Sequence, residues 1–287
     1  MQVMSTATST LPPVFVSHGS PMTALEPGAA GAFWLRLGQA LVASFGRPKA
    51  VLAVSAHSLT REPALLAAPR HKAVYDFGGF PDALYRLRYD AAGAPALAER
   101  AQALLAQAGI AAHKLPEGGL DHGIWTPLRS IFPQADVPVL PLAYVPSQSP
   151  AQQFALGQAL APLAAEGVWV LGTGSITHNL RLLGRFNGAP RGDDAEIPES
   201  AAFRDWMRAR AATRDWAALL DYRTQAPHAA LMHPTDEHLL PWYVAAGAGG
   251  RETAPLRLHD SVTFGALGMD AYAFGPQAER LAQALAA

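Results

Sequence analysis

The chain has 287 residues, half of them apolar, with 22 Lys and Arg against 23 Asp and Glu and no cysteine. That near-neutral balance gives no electrostatic case for nucleic acid or an anionic membrane surface, and points to a small-molecule partner. The missing cysteines remove disulfides, thiolate metal ligands and thiol nucleophiles together, leaving His, Asp and Glu as possible ligands.

The opening "MQVMSTATST" has no basic region followed by an apolar core, so it does not read as a signal peptide. No apolar run approaches the roughly 20 residues that span a bilayer. The expectation is a soluble cytoplasmic protein, a monomer or small homo-oligomer, with residues 1–10 a flexible lead-in and 11–287 a single α/β domain.

In chain order, short β-branched runs alternate with Ala/Leu-rich segments. Strands are expected at Val14–Val16, Ala50–Ser55, Val137–Tyr144 and Val168–Gly172, with a late pair at Leu256–His259 and Ser261–Leu267. Helices are expected at Ala32–Ser44, Ala94–Ala108, Pro150–Ala165, Glu199–Ala212 and Thr235–Gly247. This alternation predicts a central, mostly parallel mixed sheet with helices on both faces. Gly109 stands where a helix C-terminal glycine would, and Ser149-Pro150 reads as an N-cap with proline at the first helical position. The Gly-, Pro- and acid-rich stretch Phe186–Pro198 reads as a long surface loop, placed over the site.

Three of the expected strands end alike. "VFVSHGSP" runs through Val14–Val16 into His18, "VLAVSAHS" ends at His57, and "VWVLGTGSITHN" passes through a Gly/Ser/Thr turn to His178. Ligands of open α/β sheets bind outside the carboxyl ends of the strands, so three such histidines point at one place. Small residues beside each let backbones converge there. A single histidine before a turn is most often structural or solvated; three sharing one architecture argue for a metal site.

Two more histidines occupy turn-like settings. His122 lies between Asp121 and Gly123. His238 follows Thr235, read as an N-cap with Asp236, Glu237 and His238 in the first helical turn. Pro234 separates His233 from that helix, leaving His233 undecided between a structural and a supporting residue, while His71, His113, His228 and His259 lack the strand-end setting and read as structural or exposed. No H-E-x-x-H occurs, which counts against a zinc protease of that type. Neutral imidazoles with a possible carboxylate suit Zn(II), Fe(II), Mn(II) or Cu(II), and two histidines with one carboxylate would favour non-haem Fe(II).

"HGSPM" at His18–Met22, "SAHS" at Ser55–Ser58, "YDFGGFP" at Tyr75–Pro81, "LDHGIW" at Leu120–Trp125, "THNLR" at Thr177–Arg181 and "PTDEHLLP" at Pro234–Pro241 follow one another in order. Together they make the chain, from about His18 to Leu267, resemble the class III (LigB-type) extradiol ring-opening dioxygenases, in their 4,5-DOPA dioxygenase-like branch. The resemblance implies a mononuclear site with Fe(II) as catalytic metal, Zn(II) often standing in its place. Its ligands would be His18, His57 and His238, with His178 a fourth ligand or an acid/base. The wider class uses a carboxylate as third ligand, which leaves Glu237 and His238 as alternatives. The implied reaction opens a catechol beside its two hydroxyls with O2, with His178 and His122 moving the substrate proton. Tyr75 and Phe80 would line the aromatic pocket; Arg181 would meet a substrate carboxylate or an acidic surface neighbour, the second being favoured. A zinc hydrolase using the same histidines, or a non-enzymatic metal- or peptide-binding member of the fold, are the competing readings.

Overall fold

The structure is a computed structural model, and it describes residues 10–185 and 192–287. The lead-in expected over residues 1–10 and the first half of the loop expected at Phe186–Pro198 therefore lie mostly outside the described residues.

Eight strands form one sheet: β1 (Val14–Ser17), β2 (Ala50–Ser55), β3 (Ala64–Leu66), β4 (His113–Leu115), β5 (Val139–Ala143), β6 (Val168–Gly174), β7 (Leu256–His259) and β8 (Ala271–Ala273). Their spatial order is β4-β3-β5-β2-β6-β1-β8-β7. The four central strands β5, β2, β6 and β1 run parallel, and antiparallel pairings begin at β3 on one side and β8 on the other. The central strands are buried throughout, as near-continuous apolar runs require when helices cover both faces.

Alternation along the strands divides the core. Val51, Ala53, Trp169 and Leu171 face helices α1 (Gly28–Phe45), α3 (His122–Ile131) and α7 (Ala278–Ala286). Leu52, Val54 and Val170 face the opposite layer, α2 (Pro95–Gln107), α4 (Pro150–Leu160), α5 (Pro198–Ala212) and α6 (Leu240–Gly249). Ser149 caps α4 as expected, and Gln152 completes a reciprocal capping box. Gly109 has φ +74° just past α2, the left-handed end a glycine tolerates.

The sheet holds β3, β4 and β8 beyond the expected strands, α1 starts at Gly28 and not Ala32, and four further features differ from expectation. The helix expected over Pro150–Ala165 breaks at Ala161, because Pro162 starts a separate short turn. The strand expected over Ser261–Leu267 is a hairpin of two short strands, Val262–Thr263 and Leu267–Gly268. His122 opens a helix instead of sitting in a turn, with Asp121 as its N-cap.

The fourth concerns His238. Helix α6 begins only at Leu240, so Thr235–Leu239 is a turn and not the first helical turn. Pro241 has no N–H to give the Glu237 carbonyl, which instead accepts from the Tyr144 hydroxyl at 2.5 Å. The His238 carbonyl accepts from Ser175 N–H at 2.8 Å. Both carbonyls are thus committed to the sheet side of the molecule.

Candidate metal centre and active site

The strands that deliver His18, His57 and His178 are β1, β2 and β6, three parallel neighbours, so the three histidines leave the same sheet edge side by side. Gly172 and Gly174 of β6 let the His238–Pro241 region approach from the adjoining layer. A Cβ at Gly174 would stand 2.0 Å from the His238 carbonyl oxygen, and one at Gly172 2.4 Å from that of Pro241. This close approach brings His238 beside His18 and His57, and ligand atoms of the three lie within 4.8 Å of one another.

Two of the three rings are held by a hydrogen bond at Nδ1, and the third has a carboxylate near its Nδ1. His18 Nδ1 lies 3.0 Å from Thr173 Oγ1. The Thr173 hydroxyl itself donates to the Gly123 carbonyl at 2.6 Å. Its proton is therefore spent, and it accepts Nδ1–H from His18, leaving His18 Nε2 with a lone pair. Gly123 needs that donor because Pro127, four residues on inside α3, has no N–H for it. His238 Nδ1 meets Glu237 Oε1 at 3.1 Å. His57 Nδ1 lies 3.6 Å from Asp76 Oδ2.

Two observations test whether these residues suit a metal. His238 Nε2 is buried with no hydrogen-bond partner among the described residues. His18 Nε2 and His57 Nε2 face each other at 3.1 Å, an arrangement that calls for a proton or a cation to serve both lone pairs. Three outward-anchored imidazoles with a carboxylate behind two of them fit a divalent transition metal.

Electrostatics agree. Burial, then the other imidazoles, holds His18 well below the ordinary histidine range. Burial and His122 push His57 down to about 3. Burial outweighs the Glu237 hydrogen bond at His238 and also holds it well below the usual range. The rings are neutral at physiological pH, as ligation requires. Although burial pushes it up, the Glu237 carboxyl is held down to about 2 by His238 and the Thr235 hydroxyl. Glu237 thus serves as the anchor behind His238, on the side away from its Nε2.

His178 stands apart from the three. Its ring lies flat on that of His238, centroids 3.4 Å apart and planes inclined by 5°. A metal lies close to the plane of an imidazole that ligates it, about 2.0–2.1 Å from the nitrogen. Two parallel rings at this separation cannot both direct an in-plane lone pair at one ion. In this arrangement His178 groups with Glu237 and His238, whose ligand atoms lie within 4.8 Å of one another, and not with His18 and His57. Burial pushes His178 down to about 4.

His122 packs 4.0 Å from the His57 ring, centroid to centroid. Asp76 accepts from both its backbone N–H, at 2.9 Å, and its Nδ1, at 3.1 Å. Asp121 fixes this juxtaposition: its buried carboxylate accepts from the Ser55 and Ser58 hydroxyls, each at 2.6 Å, while capping α3 at Ile124 N–H. Ser55 and Ser58 flank His57, so one carboxylate ties the His57 turn to the helix that carries His122.

The histidines form one end of a cavity of about 590 Å³ whose walls include Phe77, Phe80, Leu180 and Leu267. Phe80 lines this cavity. Tyr75 does not: it is set behind Phe77, its hydroxyl donates to the Leu87 carbonyl and it takes a hydrogen bond from Arg88. Arg181 is exposed, and Asn179 Oδ1 accepts from its backbone N–H. His233 is buried against Phe203 and bonds the Ile176 carbonyl at 2.8 Å. Thr173, Asp76 and Asp121 escaped the sequence reading because their roles depend on partners 46 to 155 residues away.

Thr173→Val keeps the side-chain shape but removes the acceptor for His18 and the donor for Gly123. It is expected to weaken metal binding by about 10- to 100-fold. A metal titration reads this directly; unchanged affinity would show that Thr173 does not orient His18.

Comparison with known proteins agrees with this geometry. Residues 12–275 match the family described as the catalytic LigB subunit of aromatic ring-opening dioxygenase. The chain is 37% identical over 261 residues to "4,5-DOPA dioxygenase extradiol" of Beta vulgaris, covering 91% of this chain and 95% of that protein. It is 34% identical over 263 residues to the Escherichia coli K12 protein of the same name, covering 90% and 93%. A crystal structure of an uncharacterized Escherichia coli K12 protein superposes with TM-score 0.77 at 30% identity, over 92% of this chain and all of that one. On these matches the chain belongs to the LigB family and is an aromatic ring-opening dioxygenase of the extradiol type.

Proposed function

We propose that this protein opens the ring of a substituted, DOPA-like catechol beside its two hydroxyls, using O2 at a mononuclear non-haem Fe(II) held by His18, His57 and His238. Zn(II) meets the same donor set and would compete for it. The observation that carries the reading is the trio of inward-facing imidazoles at the end of a cavity walled by Phe77, Phe80 and leucines. The names of the relatives support the substrate class.

Bound Fe(II) would supply Lewis acidity toward the catechol oxygens and a route for electrons between the ring and O2. The chain's own residues supply position and proton transfer. The apolar walls exclude water and hold an aromatic ring with its hydroxyls toward the histidines. His122 donates its Nδ1–H as a hydrogen bond to Asp76, which would leave Nε2 able to take a catechol proton and return it. His178, half-buried against His238, would do the same. Residues 11–287 would act as one catalytic domain. Among the described residues no helix is long and apolar enough to cross a membrane.

Protein loaded with Fe(II) without air, then given O2 and a panel of catechols, is expected to consume O2 and form a yellow ring-opened product. Absence of turnover across the panel, with iron shown to be bound, would overturn the assignment.

A further inference from the structure

A second cavity, of about 390 Å³, lies against the first turn of α1, and Ser20 and Phe264 line both it and the catalytic cavity. These two residues are the partition. Ser20 is pinned, because its hydroxyl oxygen accepts from Met22 N–H at 3.2 Å.

Phe264 sits at the tip of the hairpin in which Thr263 pairs with Leu267. Its φ is +54°, and that of the next residue, Gly265, is +62°. Tight hairpin turns with two left-handed residues call for Asn or Gly at the first of them. A bulky aromatic there is disfavoured, because its Cβ crowds the backbone.

The tip has no freedom to relax. The Gly265 carbonyl accepts from Ile197 N–H at 2.9 Å, the Ala266 carbonyl from the Thr177 hydroxyl at 2.8 Å, and Gly268 N–H donates to Thr177 Oγ1 at 2.7 Å. Met269 N–H closes the base on the Ser261 carbonyl at 2.8 Å. Turn chemistry and side chain therefore disagree at one residue, and that residue stands between two cavities. Such disagreements concentrate at functional positions.

We propose that Phe264 is a specificity-determining wall: its ring closes the catalytic cavity against the second chamber and so limits the length of ring substituent the site accepts. The chamber beyond is lined by the polar residues Thr23, Glu26, Ser261 and Thr263, with the Ser261 hydroxyl already bonded to His259 Nε2 at 2.8 Å. Removing the wall would therefore admit catechols with long, polar, hydrogen-bonding substituents, such as a DOPA residue within a short peptide. The inference rests on the catechol-opening reading, and its test separates the two.

Wild type, Phe264→Gly and the double variant Phe264→Gly/Ala29→Phe are compared on catechol, DOPA and a DOPA-containing tripeptide. Turnover is read with Fe(II)-loaded protein. Binding is read by calorimetry with Zn(II)-loaded protein, since zinc has no redox chemistry. Ala29 lines the second chamber and not the first, so a phenylalanine there refills the space. Phe264→Gly is expected to raise the tripeptide-to-catechol ratio, in both readouts, by roughly tenfold or more, the scale on which pocket shape discriminates. The double variant is expected to return the ratio toward wild type. Glycine also suits the left-handed turn, so Phe264→Gly should melt no lower than wild type. A ratio unchanged in both readouts would overturn the wall. A ratio that shifts in binding while no catechol is ever opened would uphold the wall and overturn the assigned reaction.

Discussion

Replacing His57 by alanine is expected to abolish metal retention and O2 uptake together, while the fold survives. His57 lies just past the end of β2, half-buried, and donates nothing to the strand ladder. Its contribution is one nitrogen, 3.1 Å from that of His18. Loss of a partner that merely orients a ligand costs about 10- to 100-fold in affinity or activity, and loss of the ligand itself costs more. Turnover should therefore fall by on the order of 10³-fold or more. His178→Ala is the informative contrast. If the parallel stacking on His238 keeps His178 off the ion, that variant binds metal like wild type and loses ring opening alone. Metal analysis beside O2 electrode traces distinguishes the two variants. Loss of metal from His178→Ala would put His178 among the ligands.

Gly174→Ala should be nearly as damaging, though the residue carries no chemistry. The added Cβ would stand 2.0 Å from the His238 carbonyl oxygen, a backbone atom that cannot rotate away. That oxygen also accepts the Ser175 N–H, so the turn bearing His238 would have to lift off β6. Overpacking of this kind costs about 1–3 kcal/mol, and a contact with fixed backbone belongs at the upper end. For a chain of this size that corresponds to a fall in melting temperature of roughly 2–5 °C. The same displacement moves His238 Nε2 away from His18 and His57, so metal affinity should fall with stability. A variant that melts lower but binds metal normally would show that the His238 turn tolerates the shift.

Much of the site was legible because the central strands are buried on both faces. An apolar run that stops at small residues and a histidine marks a strand end, and His18, His57 and His178 were found in that way. Their common edge follows from the α/β pattern. The adjacency of β1, β6 and β2, by contrast, is a tertiary pairing that no local pattern records. His238 illustrates the limit from another direction. Thr235 followed by acidic residues has the composition of a helix start, and Pro241 alone hints at a later one. What decides the matter is that the carbonyls of Glu237 and His238 bond to Tyr144 and Ser175, which are remote in sequence. Helix α3 was hidden by Gly123 and Pro127, two residues that usually mark turns. The Thr173 hydroxyl satisfies the carbonyl that Pro127 leaves without a donor. Tyr75 shows the opposite error, an aromatic beside the pocket motif that turns out to support Phe77.

The two carbonyl bonds that hold the His238 turn against the rest of the molecule bear on how the enzyme ages. Ligation in many small metalloproteins is what folds the chain, so losing the ion means losing the structure. Here the turn is fastened by Ser175 N–H and the Tyr144 hydroxyl, and its neighbours by a buried eight-stranded sheet. The ion is accordingly a replaceable part. Under the proposed ferrous chemistry, iron lost to oxidation would be replaced by fresh ferrous ion without a round of refolding.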